Sequence, residues 1–244
     1  MHAMNWRDRY YATYISQRFV PGGRTGSLES LRSHFPIWSS YYGAHLPKDK
    51  GAAILDVGCG NGELVYWLRE QGYKNVSGVD GSKEQVDESK RLGIAGIIHE
   101  DFRSFLKGKE ETYDCIIARD FVEHFDKDEV FDMLSLLNSS LRSGGMILIQ
   151  TPNAESPFGS RYRYADITHG LSFTHHSLNH ALQACGFCDG AFFPMRPVAH
   201  GIPSFIRYVS WRCIEFMLRA YLLIENGSTS GAILTQNMIA VALK

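Results

Sequence analysis

Cysteine, net charge and long apolar runs are all scarce in this 244-residue chain. The five cysteines (Cys59, Cys115, Cys185, Cys188 and Cys213) are odd in number and scattered. That is no disulfide framework, and it points to a reducing compartment. Twenty-five Lys and Arg against 26 Asp and Glu leave a formal charge of −1, so no global field is present to hold a nucleic acid. No stretch reaches the roughly 18 uncharged apolar residues of a membrane span. The nearest, residues 205–224, is interrupted by Arg207, Arg212, Glu215 and Arg219. Met1 to Tyr14 is polar and aromatic, without the apolar core of a secretory signal. Repeats and low-complexity tracts are also missing. The expectation is a soluble, cytoplasmic protein. What the chain does have is apolar content, 44% against 21% charged, which argues against disorder. At this length it can bury roughly 70–75% of the surface its unfolded form exposes.

Residues 1–50 read as helical segments broken at Pro21-Gly22-Gly23 and Pro47. The next hundred alternate. Strands are expected at 52–57, 76–79, 96–99, 113–118 and 146–150, and helices at 62–71, 83–91 and 128–141, the last stopped by Gly144-Gly145. Strands alternating with helices mean a parallel sheet with helices on both faces. Residues 151–172 contain no clear element, which suggests a binding loop. Thr174 looks like the N-cap of a helix ending near Cys185, with Gly186 as its terminator. A strand at 187–193, an amphipathic helical insert at 203–225 and a closing strand at 232–243 complete the pattern.

The densest chemistry lies in Asp56-Val57-Gly58-Cys59-Gly60-Asn61-Gly62-Glu63. Glycines between a first strand and a helix let a ligand approach the backbone and the free N–H groups of the helix start. A dinucleotide turn wants a third glycine where Glu63 stands, to let helix and strand pack closely. Asp56, just before the turn, would repel a pyrophosphate and favour an ammonium group. The turn therefore prefers a cationic, phosphate-free ligand.

With these residues the sequence resembles the class I S-adenosylmethionine-dependent methyltransferases, whose first motif the glycine turn matches. Val79-Asp80-Gly81-Ser82 is similar to the family's ribose-binding strand end, and Asp101-Phe102 to the pair that holds the adenine. Tyr113 to Ile117, then Phe121-Val122-Glu123-His124, resembles the fourth-strand motif. Leu141 to Gly145, through Thr151-Pro152-Asn153, matches the turn and fifth strand. The likeness covers about residues 50–193. It implies a Rossmann-like sheet of seven mostly parallel strands with helices on both faces, an antiparallel last strand, N-terminal helices and a helical insert before that strand. It also implies S-adenosylmethionine as cofactor, held by Asp56, Gly58, Cys59, Gly60, Asp80, Gly81, Ser82, Asp101, Phe102, Arg119 and Asp120. Plainer readings stand beside these roles: Asp101 as a helix cap, Phe102 as core, Asp120 as solvated surface. One domain is expected, with a helical cap at 1–50, a cofactor core at 51–193, the insert at 194–231 and the closing strand at 232–244.

The stretch from Tyr164-Ala165-Asp166-Ile167-Thr168-His169 to Phe173-Thr174 resembles a subgroup found in bacterial glycan and lipopolysaccharide biosynthesis. Leu171 departs from it, standing where that subgroup carries arginine. A sugar hydroxyl must lose a proton as it attacks a methyl sulfonium, and a near-neutral histidine suits that task. His124 and His169 are the candidates, with Asp166 as the remaining one, and the plainer reading of either histidine is a structural one bonded to backbone. No metal is expected. His176 and His180 lie one helical turn apart, but no third ligand is obvious. Cys185 and Cys188 read as two buried thiols.

The insert reads as a helix packed on the sheet or on a second subunit, with weak membrane-surface contact as the sharper alternative. A homodimer is compatible with it, and no nucleic-acid partner is expected. The leading expectation is an O-methyltransferase acting on a sugar hydroxyl in surface polysaccharide biosynthesis. Alternatives are a small phenol or quinone acceptor, or a non-catalytic cofactor-binding module in a glycan-assembly complex.

Overall fold

The computed structural model describes residues 26–244, so the Met1 to Tyr14 stretch and the break at Pro21-Gly22-Gly23 lie outside the described residues. Seven strands form one sheet in the order β3-β2-β1-β4-β5-β7-β6. They are β1 (Ala53–Val57), β2 (Asn75–Asp80), β3 (Ile97–His99), β4 (Tyr113–Arg119), β5 (Leu141–Pro152), β6 (Cys188–Pro194) and β7 (Asn237–Leu243). The first five pair in parallel, and β7 inserts antiparallel between β5 and β6. The sheet has the Rossmann-like form expected of it, and its chain order reverses direction between β1 and β4. In open sheets of this kind, the crevice beyond the strand ends at such a switch point is where ligands bind.

The described helices are α1 (Leu28–Arg32), α2 (Phe35–Tyr42), α3 (Glu63–Glu70), α4 (Lys83–Arg91), α5 (Phe102–Leu106), α6 (Lys127–Ser140), α7 (Gly159–Arg163), α8 (His175–Ala184) and α9 (Ile202–Asn226). Successive strand residues face opposite sides, and the core divides accordingly. Ile54, Cys115, Ile117 and Leu148 pack with Trp38, Tyr42, Leu64 and Trp67 of α2 and α3. Leu55, Val57, Ile116 and Ile147 pack with Phe105, Leu134, Leu137 and Leu178 of α5, α6 and α8. Local chemistry starts these helices, and Thr174 is the cap that the sequence suggested. Asp126 caps α6 in a reciprocal pair with Glu129, and Thr174 caps α8 in the same way with Ser177.

Five expectations need correction. Cys185 and Cys188 are not two buried thiols, since Cys188 is exposed and Cys185 only partly buried. Gly144-Gly145 do not stop α6, which ends at Ser140. Leu141 is already extended and pairs with Tyr113, and Arg142 reaches the Asp114 carboxylate at 2.8 Å. The glycines therefore fall inside a long, irregular β5. Residues 151–172 are not wholly irregular, since α7 makes one short turn there. The closing strand starts at Asn237 rather than residue 232, because the Asn153 amide takes up the carbonyls of Ile233 (2.6 Å) and Thr235 (2.9 Å) that a ladder would use.

The insert helix α9 also turns the other way. Its buried residues are Ser204 and Glu215, while Ile202, Phe205, Ile206, Phe216, Met217 and Ile224 are all more than half exposed. The Glu215 carboxylate collects Arg196 at 2.7 Å, Arg212 at 3.1 Å and Arg219 at 3.2 Å, so an ionic stripe, not an apolar one, faces the protein. No helix of the described residues is long and apolar enough to cross a membrane.

Candidate functional site

The turn after β1 sits at the switch point. Gly58, Gly60 and Gly62 all take positive φ, at 68°, 55° and 80°, a region that carries little penalty only for glycine. Their surroundings differ. A Cβ on Gly58 would lie 2.3 Å from the Phe121 ring, and one on Gly62 would lie 2.8 Å from Ile97. Those two glycines serve packing. Gly60 meets only the Gln85 side chain, at 3.7 Å, and a Cβ on Gly81 would meet nothing within 4 Å. Gly60 and Gly81 are thus the open backbone on this rim. Asp80 ties them together, accepting from Gly60 N–H at 2.8 Å and Ser82 N–H at 2.7 Å.

Beneath the turn lies Asp56, 1% exposed, with neither carboxylate oxygen hydrogen-bonded. Burial pushes this carboxyl up to about 7; Arg119 opposes the shift, and Asp80 and Glu63 add to it. An orphaned buried acid is expensive unless a cation or donor meets it. A sulfonium compound bearing an ammonium group supplies such a cation, so these residues fit the implied cofactor. Burial works against a charged Arg119, but Tyr42, Glu63, Asp56 and Asp120 hold the guanidinium charged regardless. Glu63 is 3.7 Å from it. Cys59 is buried, and burial raises its thiol.

Asp120 follows β4 with a φ of 51°, a strained value for a non-glycine residue. It accepts from the Gln150 amide at 2.8 Å, and Gln150 in turn accepts from the Tyr42 hydroxyl. Asp101 caps α5 through Arg103 N–H at 2.9 Å, as its plainer reading anticipated. Phe102 is core: its ring packs edge-on against Phe121 and Phe125.

The candidate base residues, 45 positions apart, meet in space. The rings of His124 and His169 lie 4.8 Å apart, edge to face. Asp166 accepts from the Thr168 hydroxyl at 2.7 Å, and the Thr168 oxygen takes His124 Nδ1 at 2.7 Å. His169 Nδ1 reaches the Tyr162 carbonyl at 2.8 Å. Leu171 N–H bonds the Glu123 carbonyl at 3.1 Å, and Gly170 passes so close to the Phe125 carbonyl that a Cβ would sit 2.7 Å from it. These contacts fasten the 151–172 loop to the end of β4.

Glu123, which no motif reading singled out as a site, is fully buried here. Its Oε2 accepts from Thr151 at 3.1 Å while Oε1 has no hydrogen-bond partner. Burial, with Asp120 and Asp166 nearby, holds its carboxyl well above the carboxylate range. One donor atom from each of Glu123, His124 and His169 falls within 4.8 Å of the others. Spacing along the chain brought up only His176 and His180, which lack a third ligand, and does not reveal this group. The signal available was the Glu-His pair itself.

Residues 37–189, more than half of the chain, match the family described as a methyltransferase domain. The ubiquinone biosynthesis O-methyltransferase of Xylella fastidiosa (strain 9a5c) is 28% identical over 149 residues, which cover 59% of this chain and 57% of that protein. A probable (S)-tetrahydroprotoberberine N-methyltransferase 2 of Papaver bracteatum is 36% identical over 89 residues, 33% of this chain and 24% of that one. The chain thus spans under two thirds of the length of these relatives. The crystal structure of an S-adenosylmethionine-dependent methyltransferase from Archaeoglobus fulgidus superposes with a TM-score of 0.65 over 90% of this chain and 95% of its own, at 24% identity. A glycine turn at the sheet's switch point, an orphaned acid beneath it and a matched domain covering both agree: this chain belongs to the methyltransferase-domain family, and S-adenosylmethionine is its cofactor.

Proposed function

We propose that this chain moves the methyl group of S-adenosylmethionine to a hydroxyl oxygen, and that the hydroxyl belongs to a sugar in surface polysaccharide biosynthesis. The observation that carries the reading is the hydrogen-bonded series Asp166–Thr168–His124, beside His169, on a segment whose Phe121 ring packs against Gly58 of the glycine turn. A sugar hydroxyl is a poor nucleophile, and a histidine held in one tautomer by a second residue is the group that relieves it of its proton. The loop that carries this series also presents Phe158 (68% exposed), Tyr162 (40%) and Tyr164 (78%). Such aromatic faces suit stacking on a sugar ring.

The cofactor supplies a methyl group on a positively charged sulfur. Toward it, Gly60 and Gly81 offer close backbone approach, Gly58 and Cys59 hold the turn in place, and Asp80 receives the ribose hydroxyls beside Ser82. Asp101 addresses the adenine. Phe102 shapes that wall from behind, its ring being engaged with Phe121 and Phe125. Asp56, with Arg119 and Asp120, balances the charge of the amino-acid end. The proton leaves at the His124–His169 pair, so positioning and deprotonation are the protein's share of the work.

Asp56 gives this assignment a pH signature. The charged groups around it are Arg119 on β4, Asp80 on β2 and Glu63 on α3, with Tyr42, Cys59 and Cys115 also coupled to it. A cationic ligand favours the ionised acid, so below about pH 7 binding must expel a proton. Cofactor affinity should rise with pH, by at most about tenfold per unit, and level off above that point. Without ligand the sign reverses: the folded state keeps a proton that the unfolded state has lost, so this group lowers stability as pH rises from about 4 to 7. Calorimetric titrations across pH 5.5–8.5 test the first trend, and Asp56→Asn should flatten it.

A second reading, a phenol or quinone-type acceptor, draws on the name of the Xylella relative. Incubation with labelled cofactor and either nucleotide-sugar and glycan pools or catechols and prenylated phenols decides between them. Label on sugar oxygen supports the proposal, and label on phenol oxygen alone replaces it with the second reading. Cofactor binding without transfer to either pool overturns both in favour of a non-catalytic module.

A further inference from the structure

We propose that Glu123, His124 and His169 form a binding site for a divalent transition-metal ion of the zinc, iron or cobalt class, where the 151–172 loop meets the segment after β4. The inference rests on the hydroxyl-methylation reading for its purpose, but not for its geometry. The three donor atoms lie within 4.8 Å of one another. An ion that binds such donors at about 2.0–2.2 Å places them about 3–4 Å apart, so side-chain rotations of about an ångström close the shell.

The surroundings of the three residues are those of ligands. Glu123 is fully buried, with Oε2 held by Thr151 and Oε1 left without a hydrogen-bond partner. A buried carboxyl oxygen in that condition is uncommon, and an ion in place of the carboxyl proton would account for it. His124 donates its Nδ1–H to Thr168, whose own hydroxyl proton is committed to Asp166. His169 donates its Nδ1–H to the Tyr162 carbonyl. Each neutral ring therefore carries its lone pair on Nε2. Metal-binding histidines are typically oriented in this way, with the far nitrogen donating to a carbonyl or a carboxylate-backed group.

Two imidazoles and one carboxylate suit a transition metal better than calcium or magnesium, which prefer oxygen donors throughout. Three protein ligands leave positions open, the arrangement of catalytic rather than structural sites. The acceptor hydroxyl would take an open position and lose its proton to water more easily there, which replaces the two histidines as proton acceptors because the ion would occupy their Nε2 lone pairs. Its oxygen pair then forms the new carbon–oxygen bond as the carbon–sulfur bond breaks, and the electron pair of that bond stays on sulfur. Asp166 and Thr168 become positioning residues for His124.

The test uses cobalt(II) as the probe, added to chelator-treated full-length protein and followed by calorimetry and visible absorption. One equivalent should bind, with an intensified visible band, in the absence of any acceptor. Glu123→Gln and His169→Ala should each weaken binding by at least about 100-fold, and Thr168→Val by about tenfold. His176→Ala/His180→Ala should bind normally. Circular dichroism checks that each variant is folded, and the isosteric Glu123→Gln keeps the test decisive if a histidine variant is not. No intensified band, or binding lost in the His176/His180 variant instead, overturns the metal site while leaving hydroxyl methylation untouched. Cobalt bound as expected, with no label transferred to any hydroxyl, sustains the site and overturns the proposed reaction instead.

Discussion

Asp80→Ala is expected to weaken S-adenosylmethionine binding by about 30- to 1,000-fold, or about 2–4 kcal/mol. Two contributions add. The carboxylate is the acceptor proposed for both ribose hydroxyls, and hydrogen bonds to a charged group are worth about 1.5–3 kcal/mol each before compensation. It also accepts from Gly60 and Ser82 N–H, so its loss unties the turn that the cofactor approaches. Asp80→Asn separates the two, since the amide oxygen retains one backbone bond while the charge is gone. It should fall between wild type and Asp80→Ala. Calorimetry with the cofactor alone measures both. Affinity unchanged in Asp80→Ala would remove Asp80 from the cofactor site. A nicotinamide dinucleotide should bind none of the three proteins.

The second large effect belongs to His124. His124→Ala should lower turnover by about 10²- to 10⁴-fold, the usual contribution of a positioned acid–base group. Cofactor affinity should stay within about twofold, so the loss falls on kcat/KM for the acceptor. His124 is expected to be essential whether it takes the proton itself or holds an ion that acidifies the hydroxyl. His169→Ala should follow it more mildly if His169 only orients the acceptor. Thr168→Val leaves both rings in place but removes the oxygen that fixes the His124 tautomer, so turnover should fall by about tenfold to 100-fold. Single-turnover rates with saturating cofactor separate chemistry from binding. Full activity in both histidine variants would end the case for this pair.

How much of this was legible in the sequence depends on distance along the chain. The strands of the first half and the glycine turn were readable because each is a local pattern, an apolar run ending in residues that tolerate positive φ. Helix α4 was read to the residue, from Lys83 to Arg91. The 141–145 segment misled because Gly144-Gly145 look like a helix terminator. Only the pairing of Leu141 with Tyr113, 28 residues earlier, extends the strand across them. Helix α7 is too short, at 5 residues, to show a period. In α9 the apolar residues were legible, but the side facing the protein was not, because Arg196 lies outside the helix and completes the clamp on Glu215. The same holds for the site. His124 and His169 were named separately, while Glu123 and Thr168 emerged only when Leu171 and Gly170 docked the loop onto the end of β4.

The contact between Gly58 and Phe121 carries a consequence for how such proteins can diverge. The glycine belongs to the cofactor turn, and the ring stands two residues before Glu123 on the acceptor side. The ring lies where any side chain at position 58 would begin. An aromatic residue is therefore tolerated at 121 only while 58 remains glycine, and a bulkier residue at 58 would press on the segment that carries Glu123 and His124. Among descendants of this fold a replacement at 58 should need both a smaller residue at 121 and a turn that no longer takes positive φ there. Drift in donor recognition would then be tied to drift in what is methylated.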